Sequence, residues 1–212
     1  MLGLTLSSLI TYVIVLVTAF SVHEFAHAWT ANYFGDDTPR LHGRLTLNPV
    51  AHLDLIGSLM LLLAGIGWAK PVPVDPYALR RRSPAALMWV SLAGPLSNFL
   101  LAVLAAAPFR LGWVAMDISG SAAFTLPKFL DQFVIINISL MLFNLIPLAP
   151  LDGEKVLEYF LPPEMSRGFE NIRPYGPMIL MALLFVGPLV GINIFGYLIG
   201  YPAMFLHNLL IG

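Results

Sequence analysis

The chain has 212 residues, of which 58% are hydrophobic and 11% are charged, and its formal net charge is −1. Soluble domains carry about 25% charged residues, so this composition indicates an integral membrane protein with little mass outside the bilayer. The small net charge and the lack of a basic tail argue against nucleic acid as a partner, and the absence of cysteine excludes disulfides and thiolate metal sites.

The length fits one compact helical bundle and leaves little room for a second soluble domain. We therefore predict an all-α polytopic membrane protein that forms a single domain over residues 1–212, with about five to six transmembrane helices. Any protein-bound metal must be held by His, Asp or Glu, because the chain has no thiol.

The first predicted helix, residues 4–34, carries the pattern His23-Glu24-x-x-His27 within an apolar run. Histidines four residues apart lie on one face of a helix, about 6 Å apart along its axis, so both can reach one tetrahedral zinc ion. Glu24 is then placed to act on water at the metal rather than on the metal. Ionisable residues at bilayer depth are costly and indicate a functional site by default. The alternative is a helix whose histidines only hydrogen-bond to neighbouring helices.

The connection that follows contains three short segments. Residues Leu45–Leu47, closed by Pro49, are predicted to form a short strand. The apolar run 53–68 is too short and glycine-bearing for a comfortable span, and such stretches are often re-entrant. Residues 69–76 contain three prolines and are expected to be extended.

Two clear spans follow, residues 85–109 and 126–145, and residues 177–211 are long enough for two short spans or one long bent one. The 126–145 span ends in Asn144-x-x-Pro147-x-x-Pro150-x-Asp152. Its prolines break the helix at bilayer depth, where irregular backbone persists only if it lines a cavity or is buried in protein.

A catalytic zinc with two histidines needs a third protein ligand, and Asp152 is the strongest candidate because it follows this break. The alternative for Asp152 is a solvated carboxylate after an ordinary proline kink. Other side chains that could supply the ligand are His42, His52, His207, Asp54, Asp117 and Asp131.

The two motifs, together with Gly94-Pro95-Leu96-Ser97-Asn98 between them, resemble the M50 site-2 protease family of intramembrane zinc metalloproteases over about residues 15–155. The resemblance implies one Zn²⁺ per chain, held by His23, His27 and Asp152, with Glu24 as the catalytic base and Asn144 near the substrate or the developing oxyanion. It also implies an endopeptidase that cleaves in or near transmembrane segments of membrane proteins. We expect a short form without the PDZ or CBS domains of many relatives.

Further residues are expected to support this site. An unwound substrate segment could pair with Val72–Val74 or Leu45–Leu47 by β-augmentation, although residues 70–76 would equally suit a stiff polyproline linker. Asn98 should form an interhelical hydrogen bond and could contribute to the site. His52 could approach the metal ligands or serve as a proton relay, but an interfacial role is the simpler interpretation.

The two motifs can share one metal only if the helices that carry them, residues 4–34 and 126–145, cross the membrane in the same direction. The span 85–109 supplies one crossing between them, so the run 53–68 must return to the side of the membrane from which it starts. Basic residues flank that run on both sides, Arg40 and Arg44 before it and Lys70 and Arg80–Arg82 after it. The positive-inside tendency then places the site nearer the cytoplasmic face of a prokaryotic cell membrane. The main alternative function is a zinc or proton transporter that uses the same His, Glu and Asp side chains.

Overall fold

The computed structural model describes residues 6–64, 67–117 and 124–212. Short 3₁₀ turns occur at Pro49–Ala51 and Arg173–Tyr175, and π-type turns at Ala182–Val186 and Gly196–Gly200. The α-helices, in chain order, are α1 (Leu6–Tyr33), α2 (Thr38–Leu41), α3 (Leu55–Ala64), α4 (Pro76–Arg82), α5 (Ala86–Arg110), α6 (Leu126–Asn144), α7 (Asp152–Phe160), α8 (Pro163–Ile172), α9 (Gly176–Met181), α10 (Gly187–Leu189) and α11 (Tyr201–Ile211).

The predicted all-α membrane fold is confirmed. Four helices of the described residues are long and apolar enough to cross a membrane, namely Ser8–Tyr33, Ala86–Arg110, Leu126–Asn144 and Pro163–Leu189. No β-strand is present in the described ranges, where the only antiparallel bridge joins Leu53 and Ala69. The total of five to six spans stays a prediction.

Helix α1 runs without interruption because its sequence contains neither proline nor glycine. It ends at Tyr33, one residue before the predicted end, and is followed by Gly35, whose φ of +86° lies in the left-handed region that glycine adopts without steric cost. The amides of Gly35 and Asp36 donate to the carbonyls of Asn32 and Ala31 and close the last turn. The histidine pair therefore lies on a rigid, continuous helix.

Helix α5 is the centre of the bundle and packs against α1, α6 and α7. Its buried small residues Ala102, Ala105 and Ala106 face Val134 and Ile138 of α6 in one apolar cluster. Small side chains let membrane helices approach closely, which is the main source of packing energy between helices in lipid. This close packing fixes the α5 side chains that face the histidines of α1.

The C-terminal region forms two helical segments. Helical residues run from Pro163 to Leu189, and a second segment ends at Ile211 after a break at Gly191, whose φ is +79°. The second segment runs antiparallel to α6, because the rings of Phe195 and Phe143 lie at one end with centroids 6.2 Å apart, while His207 Nε2 lies 2.6 Å from Asp131 Oδ1 at the other end. The first segment begins upstream of residue 177, the start expected from the sequence.

The run 53–68 returns to the side from which it starts, as the parity argument requires. Leu53 and Ala69 form the antiparallel bridge, and the Lys70 amide donates to the His52 carbonyl at 2.7 Å. Helix α3 occupies most of the run between these paired ends, and residues 65–66 lie outside the described ranges.

The predicted strand at Leu45–Leu47 is wrong, because these residues form bends and irregular backbone. Thr46 Oγ1 accepts a hydrogen bond from the Asn48 amide, and Asn48 Oδ1 accepts one from the Val50 amide. Such local bonds between side chains and backbone compete with strand pairing and favour turns. The segment therefore turns into the 3₁₀ helix that begins at Pro49.

Residues 69–75, which we call the strap, are non-helical and are held at both ends by buried charged side chains. The extended segment was predicted to include Pro76, which instead begins α4. Arg44 donates to the carbonyls of Ala51, Lys70 and Pro71 at 2.6, 3.2 and 3.0 Å. At the other end, Asp36 Oδ2 accepts from the Asp75 amide at 2.7 Å. The proline-rich sequence and these two contacts fix the strap beside the end of α1.

Candidate metal centre and active site

Three predicted ligands meet at one point in the structure. His23 Nε2 and His27 Nε2 lie 3.0 Å apart on one face of α1, and Asp152 Oδ2 lies 3.1 Å from the first and 3.3 Å from the second. Among the described residues, this is the group of three side chains whose ligand atoms lie within 4.8 Å of one another. The irregular segment between α6 and α7 turns the chain back, so that α7 begins at Asp152.

The orientation of both imidazoles leaves an unprotonated nitrogen facing this point. His23 Nδ1 donates to Asn98 Oδ1 at 2.6 Å, and His27 Nδ1 donates to the Val90 carbonyl at 2.7 Å. Because these acceptors are oxygens without a proton, each ring carries its proton on Nδ1 and presents the Nε2 lone pair inward.

These residues fit a zinc ion. Two Nε2 lone pairs and a buried Asp152 Oδ2 without a hydrogen-bond partner face one another. Ligand distances of about 2.0–2.1 Å in a tetrahedral zinc site separate neighbouring ligand atoms by about 3.3 Å, close to the spacing found here. Three acceptors in contact repel one another unless a cation lies between them, and two histidines with a carboxylate are a typical catalytic zinc set.

The Asp152 carboxyl is held in its charged form. Burial alone raises its pKa, but the charge and hydrogen bonds of the His27 and His23 imidazoles, when these rings are protonated, hold the pKa below its ordinary range. With both rings neutral, a metal ion between the three ligands would supply that positive charge in their place. A metal ligand must be deprotonated, so this environment favours coordination.

Glycine 94 lets α5 approach the two imidazoles. A Cβ atom added at this position would lie 2.5 Å from His27 Nε2 and 2.6 Å from His23 Cε1. Pro95 follows and cannot donate to the preceding turn of α5, which loosens the helix there. Sequence analysis noted Gly94 only as part of a resemblance; the available signal was a glycine beside a proline within an apolar span.

A cavity of about 440 Å³ opens beside the three ligand atoms. Glu24 lies in its wall and is 8% exposed, and Asn144, at the end of α6, lines it as well. The strap contributes Val72 and Val74. The structure thus brings together His23, Glu24, His27, Asp152, Asn144, Val72 and Val74 as the sequence predicted.

Asn98 does not line this cavity, yet it contacts a predicted ligand directly. Its Oδ1 accepts from His23, and its Nδ2 donates to the Ala19 carbonyl at 3.3 Å and to Asn137 Oδ1 at 3.0 Å. The interhelical hydrogen bond expected for Asn98 is therefore present, and its contribution to the site stays a prediction. Asn137 was not singled out from the sequence.

The other residues that were considered as the third ligand make contacts elsewhere in the structure. His52 is fully buried, and its Nε2 donates to the Thr46 carbonyl at 2.7 Å in the connection beneath the strap, outside the cavity wall. The others are engaged as follows: His42 with the Thr38 carbonyl, Asp54 with the Gly57 amide, Asp117 with Thr125 and Lys128, and His207 with Asp131.

Comparisons with known proteins agree with this geometry. The family model described as Peptidase family M50 matches residues 110–187. A protein of Bacillus subtilis (strain 168), named as a candidate zinc metalloprotease, YwhC, is 41% identical over 184 residues, which cover 86% of this chain and 83% of the relative. No solved structure matches the chain.

Two mycobacterial proteins are also similar, and both are named as candidate zinc metalloproteases, Rip2. The one from Mycolicibacterium smegmatis is 33% identical over 77% of this chain and 62% of the relative. The one from Mycobacterium tuberculosis (strain H37Rv) is 31% identical over 85% of this chain and 68% of the relative.

Identity of this level over most of both chains shows a shared fold and reaction class, and the names give zinc as the metal and proteolysis as the reaction. They give no support to the transporter alternative. The chain therefore belongs to peptidase family M50, the site-2 protease family, and is a zinc-dependent intramembrane protease.

Proposed function

We propose that His23, His27 and Asp152 hold the zinc ion, that Glu24 is the general base, and that the adjacent cavity binds an unwound segment of a membrane-protein substrate. The observation that carries this proposal is the convergence of three unprotonated ligand atoms, within 3.3 Å of one another, in the wall of a cavity that also contains Glu24. In this proposal residues 1–212 act as one membrane-embedded protease domain.

When bound, zinc supplies Lewis-acid chemistry that polarises the scissile carbonyl and acidifies water near neutral pH. Glu24 directly follows His23 on α1 and faces the cavity. Its carboxylate accepts the proton of the attacking water and later delivers it to the leaving amine. The low exposure of Glu24 keeps bulk water from competing for this proton.

Asn144 is the proposed stabiliser of the developing oxyanion. One of its amide hydrogens is used in the bond from Nδ2 to the Leu140 carbonyl at 3.0 Å, which leaves the second hydrogen for a ligand in the cavity. This internal bond holds the amide at the end of α6. One donor of this kind typically contributes about 3–4 kcal/mol to transition-state stabilisation.

The strap is the proposed edge for the substrate backbone. Val72 and Val74 line the cavity, and no hydrogen bond joins their main-chain groups to another described residue. A substrate segment that unwinds from its helix exposes its own main-chain donors and acceptors, which need partners at membrane depth. Pairing with the strap by β-augmentation supplies them and holds the scissile carbonyl beside Glu24.

We place the site nearer the cytoplasmic face, because the basic residues that flank the paired ends of the run 53–68 follow the positive-inside tendency. The absence of native cysteine makes this testable with single cysteines. Leu41→Cys should react with an impermeant maleimide from the cytoplasmic side, and Trp113→Cys from the opposite side; both positions are exposed. The reverse pattern would overturn the orientation.

The proposed catalytic role is tested by Glu24→Gln in proteoliposomes that contain candidate single-span substrates. The variant should bind zinc as the parent does and cleave none of them, because the amide cannot accept the proton. Glu164→Gln, on exposed α8, is the matched control and should cleave normally. Cleavage by Glu24→Gln at the parent rate would contradict the role of Glu24 as base.

A further inference from the structure

Two buried asparagines connect the His23 imidazole to the backbone of a third helix. Asn98 on α5 and Asn137 on α6 are both fully buried, so each must find its hydrogen-bond partners within the protein. Asn98 Oδ1 accepts from His23, Asn98 Nδ2 donates to Asn137 Oδ1, and Asn137 Nδ2 donates to the Phe133 carbonyl at 2.9 Å. The chain of bonds thus crosses from α1 through α5 to α6.

The partners fix which way each amide faces. Asn137 Nδ2 meets a backbone carbonyl, which only accepts, so its Oδ1 must face Asn98. Both hydrogens of Asn98 Nδ2 are then used on the Ala19 carbonyl and on Asn137 Oδ1. A flipped Asn98 would place oxygen against oxygen at both contacts. Its Oδ1 is therefore held toward His23 Nδ1, and this ring keeps its proton on Nδ1.

The two histidines are oriented by different means. The acceptor for His27 is the Val90 carbonyl, a main-chain group that no side-chain substitution removes. The acceptor for His23 is a side chain whose orientation depends on another side chain one helix away. Loss of the Asn137 side chain should therefore change the ring orientation and proton position of His23 and leave those of His27 unchanged.

We propose that Asn137 is a positioning residue for the metal centre, which acts through Asn98 to fix the ring orientation and the proton position of His23. This inference rests on the proposed ligand set. Partners that orient metal-ligating histidines typically change metal affinity about 10–100-fold when they are lost. Asn137 lies in α6 and its side chain hydrogen-bonds to Asn98 and to the Phe133 carbonyl, so its effect on His23 passes through Asn98.

The test is the affinity of the purified protein for Zn²⁺, measured by competition with a chromophoric chelator. Asn137→Leu, which removes both hydrogen bonds at similar volume, should weaken zinc binding about 10–100-fold. Asn137→Asp keeps an oxygen acceptor toward Asn98 and, as the neutral acid, a donor toward Phe133, so it should restore most of the affinity. Ser139→Ala is the matched control on the same helix, because within the described part of the chain the Ser139 hydroxyl donates to the Ile135 carbonyl of its own helix, and this variant should bind zinc as the parent does.

A second readout separates positioning from a loss of folding. Nitrogen NMR of histidine-labelled apoprotein reports the proton position in each of the five imidazoles. The parent should show His23 protonated on Nδ1, whereas Asn137→Leu should show a mixture of tautomers for His23 and an unchanged His27. If Asn137→Leu does not fold, Asn137→Asp must still show the Nδ1 tautomer of His23, and a mixture in that variant would overturn the inference.

Unchanged zinc affinity together with an unchanged His23 tautomer in Asn137→Leu would also overturn the proposal. Because the probe is zinc alone, these outcomes do not depend on whether Glu24 acts as base. A His23→Ala variant shows whether the ligand set holds. If that variant binds zinc as the parent does, the proposed metal site fails and the role of Asn137 fails with it.

Discussion

Gly94 of α5 lies against the imidazole of His27, so closely that a Cβ atom at this position would be 2.5 Å from His27 Nε2. The same atom would lie 2.6 Å from His23 Cε1. One missing methyl group thus lets two helices meet at the metal centre. The contact also explains why a glycine is tolerated in the interior of a long helix, where it costs about 1 kcal/mol relative to alanine.

The first prediction is that Gly94→Ala weakens zinc binding. Both imidazoles must move to relieve the overlap, and a shift of either one separates the ligand atoms. We expect at least a tenfold loss of zinc affinity, the scale found when the orientation of a ligating histidine is disturbed. Gly200→Ala is the control, because a Cβ there would lie 4.0 Å from the Phe195 carbonyl, the nearest atom apart from its chain neighbours and the adjacent backbone of its own helix. Equal zinc affinity of both variants would show that the close approach of α5 is unimportant.

The second prediction concerns Arg44, which is 4% exposed and donates to two carbonyls at the start of the strap and to the carbonyl of Ala51 in the preceding connection. Arg44→Met keeps much of the side-chain volume but leaves these carbonyls without a donor, at a cost of about 1–3 kcal/mol for each buried group left unpaired. The strap should loosen, so KM should rise while zinc content stays near one per chain. Steady-state cleavage and metal analysis of the same preparation measure the two effects.

The control for the strap is Arg40→Met, because Arg40 is exposed and, among the described residues, forms an ion pair with the exposed Asp37 at 3.1 Å. Exposed ion pairs contribute little, so KM should stay at the parent value. If Arg44→Met and Arg40→Met show the same KM, the strap does not position the substrate.

The third prediction is a pH dependence of zinc retention. The imidazoles and the carboxylate bind zinc only when deprotonated, so protons compete with the metal for these ligands. Zinc should therefore be released as the pH falls. Zinc content after dialysis should be constant near neutral pH and fall as the pH is lowered toward about 4, because protons then compete with the metal for its ligands. Constant zinc content down to pH 4 would argue for a different ligand set.

The sequence predicted those parts of the site that depend on local geometry. Helical periodicity alone places His23 and His27 on one face, and the prolines after Asn144 indicate a broken helix. Asp152 was the strongest candidate for the third ligand because it follows this break. The choice also required that the two helices cross the membrane in the same direction, and the paired ends of the run 53–68 agree with that requirement.

The remaining features depend on tertiary distances that no spacing rule contains. Gly94 matters because of where α5 lies relative to α1, and Asn137 because of a side chain on a different helix. The strand predicted at Leu45–Leu47 is absent for a local reason. The side chains of Thr46 and Asn48 accept hydrogen bonds from nearby main-chain amides and so favour a turn. The conformation of a short segment depends on such single hydrogen bonds, whereas the formation of a long apolar helix depends on many residues at once.

The most direct measurement of the central claim is the zinc content of Asp152→Ala beside that of Asp131→Ala. Asp131 also lies near a histidine, at 2.6 Å from His207 Nε2, but at the opposite end of α6. We predict that Asp131→Ala keeps about one zinc per chain and that Asp152→Ala loses it after dialysis against a weak chelator. Retention of zinc by Asp152→Ala at the parent level would contradict the proposal that His23, His27 and Asp152 form one metal site.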